Sequence, residues 1–296
     1  MKFAYFPGCV ARDRCRELDD ATREVAKDLG IELVELNGAV CCGGDLPEPD
    51  PEATLAANAR NLAMAQAKGL DLLTVCGTCQ FHLSLAARAL EDPATRERVN
   101  RILERSGHGR YEGGLRVRHL LEVLLQEVGE RKLAAHVRRP LGEVAVGAFY
   151  GCRILRAPGT ETFDTPTDPT SIERLVTILG GNPVRYNGRT ACCGFDAPDT
   201  SRNLTSRLSA SALMRAKDAG ATTLATPCPL CHLVLDAHQR DASKVAGERI
   251  GMPVLHLSQL VGLAFGIDPD RLGVRRNTVS VARVVRKLED AEVVKA

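Results

Sequence analysis

Eleven cysteines are the residues of this sequence whose type and spacing point to chemistry. Ten of them form two sets with one pattern, in which a single cysteine is followed by an adjacent pair and then by a C-x-x-C. The first set is Cys9, Cys41, Cys42, Cys76 and Cys79, and the second is Cys152, Cys192, Cys193, Cys228 and Cys231. Thiols serve proteins as metal ligands, as redox-active pairs or as disulfides. Cys15 lies outside the pattern, and we interpret it as a bystander thiol.

The segments around the cysteines repeat as well. Tyr5-Phe6-Pro7-Gly8-Cys9 corresponds to Phe149-Tyr150-Gly151-Cys152, Cys41-Cys42-Gly43-Gly44 to Cys192-Cys193-Gly194-Phe195, and Val117-Arg118-His119-Leu120 to Val254-Leu255-His256-Leu257. Self-similarity over this length indicates an internal duplication. It predicts a first domain at residues 1–139 and a second at 140–296, with the charged segment Glu130–Pro140 as linker and a charged tail after Arg275.

Each half is predicted to alternate strands with helices. Strands are expected at Phe3–Phe6, Ile31–Leu36 and Leu70–Val75, and again at Val144–Tyr150, Pro183–Tyr186 and Thr222–Thr226. Helices are expected at Arg16–Leu29, Pro51–Ala67, Ser171–Leu179 and Thr200–Ala219, and after each C-x-x-C. This alternation predicts an α/β fold with mostly parallel sheets. Each set of cysteines then follows the carboxyl ends of strands, where open α/β sheets bind their ligands.

Composition narrows the classes of protein. The 296 residues are 44% hydrophobic, which is enough for a buried core, and the 39 basic and 37 acidic side chains nearly balance. That balance gives no reason to expect nucleic acid as a partner. The first residues do not resemble a signal peptide, and no stretch is apolar for the length of a membrane span. We therefore expect a cytoplasmic protein without direct membrane insertion, in which cysteines bind metal or do redox chemistry.

Three kinds of site use cysteines in this way. A structural zinc site takes four ligands, one fewer than each set supplies. A thioredoxin-like pair uses only a C-x-x-C at a helix start, where the helix dipole lowers a thiol pKa, and six cysteines of the pattern would then have no role. Iron–sulfur ligation uses all ten cysteines. Gly43 and Gly194 would let the backbone pass close to a cluster.

The doubled pattern of Cys, Cys-Cys-Gly and Cys-x-x-Cys resembles the B-type subunit of heterodisulfide reductase and its relatives. The similarity spans nearly the whole chain. It extends to Leu29-Gly30-Ile31-Glu32-Leu33, to Pro227-Cys228-Pro229-Leu230-Cys231-His232, to Leu235-Asp236-Ala237-His238-Gln239 and to Leu257-Ser258-Gln259-Leu260-Val261-Gly262-Leu263-Ala264. The resemblance implies two Rossmann-like cysteine-rich (CCG) domains related by pseudo-twofold symmetry.

The resemblance also implies cofactors, substrate and partners. Each set of five cysteines would bind one noncubane [4Fe-4S] cluster, and the two clusters would face each other across a bound disulfide. Cleaving a disulfide takes two electrons, whereas a cluster usually passes one, so two clusters suit the reaction. The substrate would be the CoB-CoM heterodisulfide or a bacterial analogue such as a lipoyl or persulfide group. Arg16 stands where the methanogen relatives have tyrosine, which favours the analogue. A ferredoxin-like iron–sulfur protein of the C type and a flavoprotein of the A type would be the partners in the complex.

A few residues besides cysteine have candidate roles. His232 follows Cys231 directly and is the candidate proton donor, hence the candidate catalytic residue. His119 and His256 recur at matching positions, which favours a structural role such as holding a turn. Arg153 and, less directly, Arg12 and Arg14 lie near ligand cysteines and are candidates to meet an anionic substrate. Phe195 is expected to narrow one side of the cleft.

Two other functions use the same motif or the same residues. One is an electron-transfer or anchoring subunit of a succinate- or lactate-type oxidoreductase. The other is a zinc-stabilised interaction module.

Overall fold

Two four-stranded parallel sheets, one in each half of the chain, form the framework of the computed structural model, which describes residues 1–44, 50–159, 163–195 and 202–293. The strands of the first half are β1 (Lys2–Phe6), β2 (Glu32–Glu35), β3 (Leu72–Thr74) and β4 (Val117–His119). Its helices are α1 (Cys9–Arg12), α2 (Arg16–Leu29), α3 (Pro51–Gln66), α4 (Gly77–Ala89), α5 (Pro93–Arg105), α6 (Leu120–Glu122) and α7 (Glu130–His136), with a π-helical segment at Val123–Gly129.

The second half repeats this order of elements. Its strands are β5 (Ala145–Ala148), β6 (Asn182–Val184), β7 (Thr223–Thr226) and β8 (Val254–His256). Its helices are α8 (Ser171–Ile178), α9 (Arg202–Asp218), α10 (Pro229–Ala237), α11 (Gln239–Ala246) and α12 (Leu257–Ala264), followed by α13 (Ala282–Val293), with single 3₁₀ turns at Ile154–Arg156 and Val274–Arg276. Thr200, the predicted start of α9, lies outside the described residues.

The two sheets have the same strand order. It is β2-β1-β3-β4 in the first and β6-β5-β7-β8 in the second, and every pairing is parallel. This confirms the predicted α/β class and the duplication. In each sheet the second strand in sequence pairs on one side of the first strand, and the third and fourth strands are added on its other side. A crevice at the carboxyl ends of β1 and β3, and of β5 and β7, is the expected ligand position in such a sheet.

Helix α2 shows how local sequence determines these elements. Leu18, Ala21, Val25 and Leu29 are buried, and their spacing of three or four residues places them on one face of the helix. The helix ends at Gly30, which has φ 70°, a left-handed conformation that glycine adopts without a steric cost. The predicted bounds Arg16–Leu29 are therefore confirmed.

The two halves share their hydrophobic interior. One buried cluster contains Tyr5 and Leu121 from the first half together with Tyr150 and Leu260 from the second. Helix α12 packs against α2, and all eight of its residues are buried, so this segment belongs to the core. Neither half buries its apolar surface alone, so the relative position of the two sheets is part of the fold.

The segment Glu130–Pro140, predicted as the linker, is helical for most of its length. Residues 130–136 form α7, and Leu133 is fully buried in the shared core because its side chain, unlike its charged neighbours, faces inward. The chain connects to β5 through residues 137–144. The division after residue 139 stays a prediction. The charged tail forms α13, which buries Val284 and Leu288 against the same core.

None of the described helices combines the length with the apolar character that crossing a membrane requires.

Candidate functional site

Five cysteines of the first half meet at the carboxyl edge of the first sheet. Cys9 begins α1 directly after β1, the adjacent pair Cys41-Cys42 lies in the loop after β2, and Cys76 and Cys79 lie at the start of α4 after β3. The sulfur atoms of Cys9 and Cys41 are 3.7 Å apart, and those of Cys42 and Cys79 are 3.5 Å apart. The structure therefore brings together the five cysteines of the first predicted set, which come from three separate segments of the sequence.

The second set forms an equivalent site at the carboxyl edge of the second sheet. Cys152 follows β5, Cys228 precedes α10 and Cys231 lies in its first turn. The thiol of Cys192 is in hydrogen-bond contact with those of Cys152 and Cys193, and the thiols of Cys193 and Cys231 are in contact with each other. The order of neighbours matches the first site.

The two sites open toward each other. The Sγ atoms of Cys76 and Cys228 are 3.7 Å apart, and the Thr78 hydroxyl lies 3.8 Å from the Cys228 sulfur. A small cavity lies at each of the two sites. Thr78 of α4 and Leu230 of α10 line both cavities, so each half contributes wall to the other half's site.

The Cys-Cys-Gly turns are tight because glycine follows the pair. Gly43 and Gly194 have φ 81° and 98°, values that L side chains rarely adopt. In this conformation the Gly43 N–H donates to the Cys41 sulfur over 3.4 Å, and the Gly194 N–H donates to the Cys192 sulfur over 3.3 Å. Each turn thus directs a backbone dipole at a sulfur atom, which stabilises negative charge there.

A helix side chain holds each of these turns from behind. The Asn58 amide of α3 donates to the carbonyl of Cys42 over 3.0 Å, and the Ser209 hydroxyl of α9 donates to the carbonyl of Cys193, also over 3.0 Å. Both donors stand 16 residues after the cysteine that they hold. Sequence reasoning missed this pair, although the equal offset from a repeated motif is a signal that identifies it.

Glycine is also required where the backbone passes the second cysteine of each C-x-x-C. A Cβ atom on Gly8 would lie 2.8 Å from the Cys79 sulfur, and one on Gly151 would lie 2.9 Å from the Cys231 sulfur. Real Cβ atoms do not approach so closely. The Gly-Cys dipeptide that begins each set therefore leaves space for sulfur.

Protons are distributed unevenly among the packed thiols. Hydrogen bonds from neighbouring thiols lower the pKa of Cys41 and that of Cys192. The hydrogen bond to the adjacent residue raises the pKa of Cys42 and that of Cys193, since each of these thiols keeps its proton as a donor. Adjacent thiolates repel one another in a buried site, and a cationic metal group removes that repulsion.

The donor set fits a group that contains several metal atoms. Five soft sulfur ligands at each site suit iron–sulfur ligation, and they exceed the four ligands that a single zinc ion takes.

Arg153 reaches from the second site to the first half. It lines the second cavity, and its Nη1 donates to Nε2 of His82 over 2.8 Å. Its guanidinium also lies 5.9 Å from the centre of the Phe81 ring, within the range of a cation–π contact. Burial and then the charge of Arg153 lower the pKa of His82, so that the imidazole accepts this bond in its neutral form. Phe195 lines the same cavity, as expected for a residue that narrows the cleft.

The other arginines and the candidate proton donor lie outside the two cavities. Arg12 pairs with Glu35 at the surface over 3.5 Å, and Arg14 is exposed. His232 is buried with its Nε2 atom 3.8 Å from a Glu17 oxygen, and it lines neither cavity. Burial lowers the pKa of His232 to about 3. Its catalytic role stays a prediction.

Cys15, the eleventh cysteine, is buried in the core. Burial, followed by the nearby Glu17 carboxylate, raises the pKa of its thiol to about 12. A thiol that stays protonated is a poor nucleophile and a poor ligand.

The two repeated histidines hold helix starts, as their recurrence predicts. Nδ1 of His119 accepts the N–H of Leu121 over 3.0 Å at the start of α6. Nδ1 of His256 accepts the N–H of Ser258 over 3.3 Å at the start of α12. Both side chains are fully buried.

Comparisons with known proteins agree with this architecture. The model of the cysteine-rich domain family, CCG, matches residues 3–84 and again residues 146–236. The chain is 40% identical over 284 residues to the 8-methylmenaquinol:fumarate reductase membrane anchor subunit of Wolinella succinogenes, covering 96% of this chain and 99% of that one. It is 31% identical over 292 residues to the B-type subunit of the ferredoxin/F(420)H(2)-dependent CoB-CoM heterodisulfide reductase of Methanosarcina acetivorans, with 97% of each chain covered.

A solved structure shows the same fold. A hypothetical protein from Helicobacter pylori superposes with a TM-score of 0.76 at 18% identity, over 95% of this chain. This chain spans 52% of that protein's length. Because two family matches cover most of the chain and its relatives align over nearly their full length, the chain belongs to the cysteine-rich CCG domain family and resembles, as its doubled motif predicted, the B-type subunit of heterodisulfide reductase.

Proposed function

We propose that this chain is the iron–sulfur subunit of a reductase complex and that it cleaves or forms a disulfide between two clusters. Each five-cysteine site binds one noncubane [4Fe-4S] cluster in this proposal. The observation that carries it is the position of the two sites, which face each other with Cys76 and Cys228 only 3.7 Å apart. A substrate bound where the two sites meet would contact both of them at once.

The reaction adds two electrons and two protons to a disulfide and yields two thiols. The two clusters, when bound, would supply the two electrons. The chain itself shapes the gap: Ile154 and Leu230 form apolar wall that excludes water, and Thr78 offers a hydroxyl between the sites. Arg153 adds positive charge on the side of the second site, which favours the thiolate product there.

Relatives guide the choice of substrate and partners. The B-type relatives in Methanosarcina are named for the CoB-CoM heterodisulfide. We propose that heterodisulfide or a bacterial analogue, such as a lipoyl or persulfide group, as the substrate here. A ferredoxin-like iron–sulfur protein of the C type and a flavoprotein of the A type would bring the electrons, and the cytoplasm would be the compartment.

Metal analysis tests the first part of the proposal. Protein purified without oxygen should contain about eight irons and a similar amount of acid-labile sulfide per chain. It should be coloured and give a paramagnetic signal after one-electron reduction or oxidation. Stoichiometric zinc with little iron would instead establish the zinc-stabilised module.

A second function is favoured by the relative from Wolinella succinogenes, which is 40% identical over almost the whole chain and is named as a membrane anchor. In that case the same clusters relay electrons in a complex of the succinate- or fumarate-type and no disulfide is bound. Titration of the reduced protein with candidate disulfides separates the two functions. A new paramagnetic species that depends on the disulfide supports substrate chemistry, whereas a relay shows none and instead sediments with lipid vesicles or accepts electrons from a quinol analogue.

A further inference from the structure

His119 and His256 each make a second hydrogen bond, and this bond crosses from one half of the chain to the other. Nε2 of His119 lies 2.9 Å from the carbonyl oxygen of Pro227, and Nε2 of His256 lies 2.9 Å from the carbonyl oxygen of Val75. A carbonyl only accepts, so Nε2 carries the proton in both rings. Nδ1 is then the acceptor that holds the helix start, and both rings are neutral donors.

The two carbonyls have equivalent positions. Val75 precedes Cys76, and Pro227 precedes Cys228, so each bond ends on the residue before the first cysteine of a C-x-x-C. The cysteine that follows is the N-terminal cap residue of α4 or α10. Fixing the preceding peptide group therefore fixes the direction in which that cysteine points.

The pattern is reciprocal. His119 ends β4 of the first sheet and reaches the loop after β7 of the second, while His256 ends β8 of the second sheet and reaches the loop after β3 of the first. Both donors are fully buried, where a lost partner leaves an unsatisfied carbonyl. The two bonds flank the short contact between Cys76 and Cys228.

We propose that His119 and His256 are positioning residues that form a reciprocal brace, in which each half of the chain sets the ligand geometry of the other half's site. This rests on the proposed function in one respect, since the ligands that the brace orients are taken to bind clusters. The brace makes a crossed prediction. Loss of the His256 bond disturbs the first site, although His256 belongs to the second half, and loss of the His119 bond disturbs the second site.

A role limited to capping the helix start would not cross between the halves, and two substitutions separate the roles. Asparagine is a strong N-cap residue whose side-chain oxygen takes the place of Nδ1, but it does not reach the opposite carbonyl. His256→Asn and His119→Asn therefore keep the cap and remove the brace. Glutamine places an amide N–H near the position of Nε2, so His256→Gln and His119→Gln keep a donor toward the carbonyl.

The main test maps cluster loss to individual cysteines. Wild type and variants are reconstituted with iron and sulfide, treated with an alkylating reagent, and digested for mass spectrometry. Thiols that hold a cluster are protected. In His256→Asn we expect alkylation of Cys76 and Cys79 to rise about fivefold, the effect of losing one hydrogen bond, while the second site stays protected. His119→Asn should show the reverse, and the glutamine variants should recover protection.

A second measurement works without any cluster. Diamide takes two electrons and two protons from two thiols and joins them as a disulfide, so it reports whether Cys76 and Cys228 approach each other in the metal-free chain. The wild type should form this cross-link, and both asparagine variants should form it several-fold more slowly. If the wild type binds no iron, the proposed function is wrong, but the cross-linking measurement still tests the brace.

Three results would overturn the brace. Deprotection in His256→Asn confined to the second site would mean that the histidine acts only within its own half. Equal deprotection of both sites would mean that the substitution loosens the whole fold and has no specific effect on the opposite site. Unchanged protection together with unchanged cross-linking would mean that the hydrogen bonds between the halves do not orient the cysteines.

Discussion

Cys76 and Cys228 are separated by 152 residues of sequence, yet their sulfur atoms lie 3.7 Å apart. The hydrogen bond between these two thiols raises the pKa of Cys76, while hydrogen bonds from Cys231 and then Cys76 lower the pKa of Cys228. The protonation state of one of these two sulfur atoms therefore affects the pKa of the other. Groups bound at the two sites would be in close electrostatic contact, and the sites should not be treated as independent.

Loss of one ligand should nevertheless be felt first at its own site. Cys193→Ala removes a buried sulfur of the second site, and we expect about half of the iron to be lost and disulfide turnover to fall to background, with the first cluster partly kept. Iron analysis and paramagnetic spectra of the variant provide the measurement. Cys15→Ala is the matched control, because Cys15 is also buried but belongs to neither site. Full activity of Cys193→Ala would contradict the assignment of ligands.

A methyl group beside the sulfur should have a similar effect. Gly8→Ala puts a Cβ within 2.8 Å of the Cys79 sulfur, so that cysteine must shift, and we expect the first site to lose its cluster. Gly129→Ala is the control, since Gly129 has nearly the same backbone conformation as Gly8 (φ 81°, ψ 154° against φ 85°, ψ 163°) and no atom within 4 Å of an added Cβ. The control should lose about 1–3 kcal/mol of stability and keep its iron. Equal iron in both variants would show that the space beside Cys79 is not needed.

The sequence was a good guide to the elements and to the ten cysteines, because both follow from patterns that repeat. Helix α2 was predicted to the residue because its apolar period and its terminal glycine agree. Helix α7 was not foreseen within the predicted linker, because Leu133 is its one buried apolar residue and stands next to charged residues. A short amphipathic helix and a charged linker have nearly the same composition.

Contacts between the halves were beyond reach of the sequence. The recurrence of His119 and His256 indicated a structural role, but the cross-half partner of each ring depends on how two sheets pack. Arg153 was a candidate because it adjoins Cys152, yet its contact with His82 of α4 is again a product of that packing. Hydrophobic periodicity in a sequence indicates single helices and strands. It contains no information about how two sheets are positioned relative to each other.

The side chains that hold the Cys-Cys-Gly turns should contribute to stability. Asn58→Ala leaves the buried carbonyl of Cys42 without its donor, and the free energy of unfolding should fall by about 1–3 kcal/mol. Urea unfolding of the metal-free protein measures this. Glu52→Ala on the same helix is the control, because Glu52 is exposed and its pair with Arg98 is worth less than about 1 kcal/mol. If the free energy of unfolding falls no more in Asn58→Ala than in the control, the hydrogen bond from Asn58 does not stabilise the turn.

Stability of the metal-free protein should depend on the two buried histidines as the pH is lowered. Burial lowers the pKa of His119 and of His256 to about 4 each. A histidine in the unfolded chain has a pKa of about 6.5, so below that pH the unfolded chain binds protons that the folded chain does not bind. The contribution of the two rings to the free energy of unfolding is therefore full above about pH 6.5 and is lost between about pH 6.5 and 4. Each ring should contribute up to about 1.4 kcal/mol per pH unit in this window.

Substitution isolates this contribution from others of opposite sign. Burial raises the pKa of the Glu17, Glu122 and Asp236 carboxyls, so these groups favour the folded state as pH falls, but they are the same in every variant compared. Urea unfolding at pH 7, 6 and 5 should give a pH slope that is smaller by about 1 kcal/mol per unit in His256→Asn than in wild type. Asn58→Ala, which removes a hydrogen bond but no titratable group, should keep the wild-type slope. If His256→Asn also kept it, the ring would be protonated equally in the folded and unfolded chains, and its buried, neutral role as a donor to Val75 would be wrong.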